Sequence, residues 1–273
     1  MGPQLTIVIL TLNEADRIAR CLQSVPFNSY VVLIDSESTD GTLASARAAW
    51  EEMGRNPSHL ALVTRPWPGF VEARNESLKW VNSPWVLWLD ADEWITPELT
   101  RELTALEKLP TESAVFQIPR QSWFLGRMIR YGGWYPDRKR RLARTGSAQW
   151  TSGPFGAAVH ENLCPLNENS PIATLQGHLG HEPFRNEADQ TDTNEKYSSL
   201  LAKGLAEKWR TQNKSAPSAV WIDIKVFVKF IENYFWKRGF LDGRAGLKIA
   251  LGSCTSLRKR LEKASALLAS TGL

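Results

Sequence analysis

The first hundred residues repeat one pattern four times: a short apolar run rich in β-branched residues, then a helix-like segment. The runs are LTIVILT (5–11), YVVLID (30–35), LALVTR (60–65) and WVLWLD (85–90). Between the first two, Ile18, Cys21, Leu22 and Val25 recur at helical spacing. LASARAAWEEM follows a turn in which Thr39 or Asp40 would cap a helix, and FVEARNESLKWV turns Phe70, Val71, Ala73, Leu78 and Val81 mostly inward. TPELTRELTAL opens with Thr96 as N-cap and Pro97 at the first helical position. Strands joined by helices require right-handed crossovers and a mostly parallel sheet, so an α/β fold is expected. Ligands of such sheets bind beyond the C-terminal strand ends. The polar residues there are Thr11-Leu12-Asn13-Glu14, Asp35-Ser36, Arg65 and Asp90-Ala91-Asp92-Glu93.

From about residue 112 to 180 the runs become short, aromatic and glycine-broken, which predicts β-hairpins beside the parallel sheet. From about Asn186 the pattern is helical. The expected division is 1–185, with halves 1–110 and 111–185, followed by a helical segment 186–273. No internal repeat is evident. With 273 residues, 42% hydrophobic and 23% charged, the chain can bury a core without staples, which excludes disorder. Cysteines at 21, 164 and 254 are odd in number and far apart, so a reducing compartment is expected and a disulfide framework is not. A strand pattern begins by Leu5 without a basic segment and apolar stretch ahead of it, so no signal peptide is expected, and no apolar run is long enough to span a bilayer. The net charge of +4 is uneven: from Val220 onward ten Lys/Arg face four Asp/Glu. That suits a C-terminal segment meeting an anionic surface better than a uniformly basic nucleic-acid binder, and no nucleic-acid recognition motif is present.

LWLDADEW is the most informative segment. Two carboxylates two residues apart, Asp90 and Asp92, end a buried strand and cannot both point into a core. One can reach a sugar hydroxyl while the other holds a hard divalent cation. Asp35 ends the second strand, where a carboxylate can accept from the base or ribose of a nucleotide. There is neither a G-x-G-x-x-G after the first strand nor a G-x-x-x-x-G-K-[ST], which counts against dinucleotide oxidoreductases and P-loop ATPases.

TIVILTLNEADRIARCLQSV, VVLIDSESTDGT, GFVEARNESLKW and WVLWLDADEW resemble the successive signatures of inverting family 2 glycosyltransferases over roughly the first hundred residues. GGWYPDRKRRL, AAVHENL, GHLGHEPF and FWKRGFLDGRAGL more loosely resemble the lipopolysaccharide core β-1,4-glucosyltransferase subgroup. The resemblance implies a GT-A-type α/β fold with a mostly parallel sheet, a β-hairpin acceptor region and C-terminal helices. It also implies an inverting hexosyltransferase using a UDP-sugar, read as UDP-glucose, with Mg²⁺ or Mn²⁺, acting on a lipid-linked or lipopolysaccharide-core acceptor. Thr11, Asn13 and Glu14 would then lie along the nucleotide pocket, and Asp35 would contact the uracil or ribose. Asp90 would meet ribose or donor sugar and Asp92 the metal. Arg74 either faces the nucleotide or Asp90, or is a solvated arginine paired with Glu72 or Glu76.

Inversion needs one general base on the acceptor side. By the resemblance Glu161 stands where the family has an acidic residue facing the acceptor, and Asp137, in a turn set by Pro136, is the rival. His181 is the candidate third metal ligand, with Asp90 and Asp92. His178 is the alternative, and His160 would orient the base or bind phosphate. His59 reads as a surface residue. DRKRRLAR (137–144) either meets acidic acceptor groups or is a solvated hairpin edge, and one or two of the nearby aromatics would stack on sugar. Val220, Ile224, Phe227, Val228, Ile231, Tyr234 and Phe235 form a helical apolar stripe, flanked by Trp221, Trp236, Lys237 and Arg238. It suggests a helical pair on an anionic membrane surface, at the cytoplasmic inner face of the plasma membrane, where by the resemblance relatives act. A hairpin packed on the catalytic domain or a homodimer partner is the alternative. From another functional class, a non-catalytic membrane-associated scaffold retaining the fold is the rival reading.

Overall fold

The computed structural model describes residues 2–153 and 161–270. The expected alternation is present: β1 (Leu5–Thr11), α1 (Ile18–Ser24), β2 (Tyr30–Asp35), α2 (Thr42–Glu52), β3 (Leu60–Thr64), α3 (Phe70–Ser77) and β4 (Trp85–Asp90). Short β5 (Glu93–Ile95) and α4 (Pro97–Leu103) follow. Thr96 caps α4 by accepting from the Leu99 amide, with Pro97 in the first turn. For α2 the capping position falls to Gly41, in the left-handed region at φ 89°, rather than to Thr39 or Asp40. Asp40 contributes differently, accepting from the amide and hydroxyl of Thr42.

β3, β2, β1 and β4 are parallel neighbours in that order. The hairpin region adds antiparallel strands: β6 (Val115–Phe124), β7 (Arg127–Met128) and β8 (Asp137–Arg144), with β8 beside β4 and β6 beside β8. Also present are β9 (Ala148–Thr151) paired with β10 (Asn162–Pro165), β11 (Ile172–Thr174) beside β6, and β12 (Leu179–His181) beside β5. β8 is therefore an interior strand, not a solvated hairpin edge, and it buries Arg141, Leu142 and Ala143.

The period of two along a strand divides the core. Leu5, Ile7 and Ile9 of β1 join Ile18, Leu22 and Trp50 on one face of the sheet. Val8 joins Val32, Trp88 and Trp150 on the other. The contacts divide the chain into two compact units. The first comprises Met1–Arg120, Asp137–Ser152 and Glu161–His181; the second includes Gln121–Pro136 and the chain from Glu182 onward. The second unit is built on α5 (Glu187–Thr211), α6 (Ala219–Ile231) and α7 (Gly243–Ala269). Asn186 caps α5 and Ser218 caps α6. Phe124, Ile129, Ala245 and Ile249 form a small core in this unit, and Ala202, Ala206 and Ala264 form another.

Candidate active site

Two polar groups gather at the C-terminal edge of the parallel strands. The first stitches the β1–α1 and β2–α2 turns. Thr11 and Asp35 are register partners. Asn13, in the left-handed region at φ 56°, donates its amide to Ser38 Oγ and accepts from the Thr39 amide on Oδ1. The Glu14 amide donates to Thr42 Oγ1, while its carboxylate accepts two bonds from the Arg17 guanidinium at 2.6 and 2.7 Å. Asp35 Oδ2 accepts from the Ser38 amide. Asp35 Oδ1 and Thr11 Oγ1 are buried with no hydrogen-bond partner. Most buried polar atoms are paired, so an orphan needs an explanation.

The second group is a charge network. Arg74, which the sequence allowed to be solvated, is instead 2% exposed. It donates to Asp90 Oδ1 at 2.9 Å, lies 3.2 Å from Glu161 Oε1, and stacks over the Trp150 ring at 4.3 Å. It shares the buried face of α3 with Ala73 and Ser77, while Val71 is half-buried against the core. Arg141 pairs with Asp90 Oδ2 and reaches Glu93 at 3.3 Å. Arg120 bridges Glu93 at 2.9 Å and Asp137 at 2.6 Å. Lys139 adds a second cation to Asp137 at 3.1 Å. His181 Nε2 stands 3.5 Å from Asp92 Oδ2. The backbone amide of His178 donates to Thr96 Oγ1 at the start of α4. His160 lies outside the described residues.

Strand parity explains this gathering. Val86, Trp88 and Asp90 share one face of β4, and Arg141 on neighbouring β8 shares that face with Ala143. Burial would push the Asp90 carboxyl up, but Arg141 and Arg74 hold it well below the usual carboxylate range. Asp92 is likewise lowered against its burial, chiefly by His181. Asp137 is lowered against its burial by Arg120 and Lys139. Burial and the nearby Arg141 lower the Arg74 guanidinium, countered by Asp90 and Glu161.

Glu93, Arg120 and Arg141 organise the network; the sequence placed Glu93 only among the strand-end polar residues and Arg141 only within a basic run, and assigned Arg120 no role. Glu93 has a fully buried side chain that also accepts from the Asp90 amide. The signal was an arginine-rich strand: in DRKRRLAR an arginine directly precedes the apolar pair Leu142-Ala143. Among the described residues no three His, Cys, Asp or Glu side chains group to hold a metal. Asp92 and His181 form a carboxylate–imidazole pair, whereas both Asp90 oxygens are bonded to arginine. A shallow crevice opens beside the end of β2, walled by Ile34, Ser36, Arg65, Trp67 and Trp80.

A family model, glycosyl transferase family 2, matches residues 6–160, more than half of the chain. The chain belongs to that family. It is a glycosyltransferase, an enzyme that takes a nucleotide-sugar donor and an acceptor. The chain is 26% identical over 212 residues to the lipopolysaccharide core biosynthesis glycosyltransferase LpsC of Rhizobium meliloti, covering 74% of this chain and 72% of that protein. It is 32% identical over 252 residues to the uncharacterized glycosyltransferase RT0209 of Rickettsia typhi, covering 85% and 78%. Among solved structures, the mannosyltransferase PcManGT of Pyrobaculum calidifontis, in complex with GDP-Man and Mn²⁺, aligns with a TM-score of 0.48 at 15% identity. That alignment covers 99% of this chain and 80% of that one. Among the described residues, no helix is long and apolar enough to cross a membrane.

Proposed function

We propose that this transferase moves glucose from UDP-glucose, with inversion, onto a lipid-linked or lipopolysaccharide-core acceptor. The observation that carries the donor site is the pair of orphaned buried acceptors, Thr11 Oγ1 and Asp35 Oδ1, at adjacent strand ends. Thr11 and Asp35 bind the uridine, with Asn13 and Glu14 shaping the turn beside it. The name of the LpsC relative supports the lipopolysaccharide-core acceptor.

Asp92 and His181 have donor types that suit Mg²⁺ or Mn²⁺ and would hold the cation, diphosphate oxygens completing the shell. Such a cation neutralises charge on the leaving diphosphate. Asp90, already committed to Arg74 and Arg141, orients donor sugar or ribose and keeps both guanidinium groups in place. In the transfer, the acceptor hydroxyl oxygen attacks the anomeric carbon from the face opposite the diphosphate. The C–O bond to phosphate breaks, and the hydroxyl proton passes to a carboxylate. Glu161 takes that proton. Asp137 is the poorer base because two cations, Arg120 and Lys139, stabilise its ionised form, against the single Arg74 contact of Glu161.

Two measurements test this reading. In a thermal-shift titration with UDP, GDP and CDP, each with and without Mn²⁺, UDP with metal stabilises the wild type by about 2.7 kcal/mol at 100 times its dissociation constant and leaves Asp92→Ala unmoved. No response to any nucleotide would sink the proposal and favour a non-catalytic scaffold. In the second, Glu161→Gln lowers transfer by about 10²–10⁴ with UDP binding retained, and Asp137→Asn lowers it far less. The reverse order makes Asp137 the base.

A further inference from the structure

Ten of the 21 exposed large hydrophobic residues among those described fall within one stretch, 220–241. The stretch covers α6 and the turns after it. A helix at a water-facing surface ordinarily turns its apolar stripe inward. α6 does the opposite. It packs on α7 through buried Ile222, and Cys254 of α7 donates to the Val226 carbonyl. Val220, Ile224, Phe227, Val228 and Ile231, at helical intervals on the far side, are 37–68% exposed. Trp221 at one end is 42% exposed and Trp236 beyond the other is 85% exposed. Lys225 lies over the Trp221 ring at 5.0 Å. Lys229 and Lys237 flank the same stretch, each paired with Glu232, and Arg238 follows.

We propose that this face of α6 docks in the plane of an anionic lipid bilayer. Its 13 residues span about 20 Å, short of the ~30 Å hydrocarbon core, so the helix lies in the interface rather than crossing it. The two tryptophans sit at headgroup depth, where amphipathic rings are favoured. Charge selects the occupant. The stretch itself, 220–241, carries four cations, Lys225, Lys229, Lys237 and Arg238, against two anions, Asp223 and Glu232. A second copy of the chain would bring the same excess to the contact and repel it, whereas an anionic leaflet attracts it. The face belongs to the second unit and includes none of the residues proposed for sugar transfer, so it is tested without donor or acceptor.

The test is co-sedimentation of the full chain with phosphatidylcholine vesicles with and without phosphatidylglycerol. Wild type binds the anionic vesicles, more weakly as salt rises. The double variant Phe227→Glu/Ile231→Glu loses at least about tenfold in affinity, from lost apolar burial and added repulsion. Leu200→Glu, an exposed leucine on α5, leaves binding unchanged. Equal binding by the double variant, or none by wild type to either vesicle, overturns the proposal. So does a wild-type dimer in light scattering that the double variant splits, which assigns the face to a second copy. If the double variant loses its circular-dichroism signal, the wild type decides alone: binding indifferent to phosphatidylglycerol and salt overturns the proposal.

Discussion

The two units depart from the ordinary inside–outside division in opposite directions. In the first, groups that normally face water are buried: Arg74 is 2% exposed, Glu93 1% and Arg141 4%. In the second, Phe227 and Ile224, which normally fill a core, are more than half exposed. The physical demands differ accordingly. Buried charges survive only when each has opposite charge and hydrogen bonds around it, so the first unit is a connected network. Exposed apolar groups cost the folded chain little and await a partner of the same character.

The largest expected effect therefore falls on the network. Arg141→Met leaves the half-buried Asp90 and the fully buried Glu93 with one cation fewer each, and is expected to cost about 3 kcal/mol in chemical denaturation of the first unit, chiefly through Glu93. A loss below about 1 kcal/mol would mean that the two carboxylates are rehydrated easily, and the contrast between the units would weaken. Acid is the second probe. Asp90, Asp92 and Asp137 ionise more readily in the folded protein than ordinary carboxylates, despite their burial, because arginine, histidine and lysine face them. The unfolded chain takes up protons near pH 4 and the folded chain only at lower pH. Their contribution to stability is thus complete above about pH 4 and drains as pH falls through the lower native values. The thermal midpoint should fall steadily from about pH 4 to pH 2, and a flat profile there would break the argument.

A smaller effect, of opposite sign, separates paired buried groups from those reserved for a ligand. Thr11 Oγ1 is buried without a partner, so Thr11→Val removes an unsatisfied hydroxyl at nearly constant volume. Stability should hold or rise by up to about 1 kcal/mol, while UDP affinity falls. A stability loss of about 2 kcal/mol with UDP affinity intact would make Thr11 structural.

Local pattern made the frame legible. The parallel strands, the Thr96 cap and the change to helices near Asn186 all follow from periodicity and cap chemistry. Arg74, Asp90, Asp137 and Glu161 are joined in one network of ion pairs through Arg120, Glu93 and Arg141, while Asp92 pairs with His181. What the network hinges on was not legible. Arg141 lies 51 residues from Asp90, and their contact depends on β8 pairing antiparallel with β4, a register that no local signal encodes. The same holds for α6: its apolar stripe is plain in the sequence, but which side packs on α7 is decided by Ile222, a residue outside that stripe.

That decision gives the smallest expected effect and the most direct check on the second unit. If the stripe faces solvent in the free protein, Phe227→Glu removes no packed contact and its new charge stays hydrated. Folding stability should change by no more than about 0.5 kcal/mol, the range of ordinary surface substitutions. A buried phenylalanine replaced by glutamate would instead cost several kcal/mol, from the lost burial and the desolvated carboxylate. Denaturation over a range of protein concentrations distinguishes the cases. A small change independent of concentration keeps the stripe as a free surface. A large loss that shrinks on dilution would mean that the wild-type stripe is covered by another copy, and the contrast with the first unit would then describe an isolated chain rather than the assembled protein.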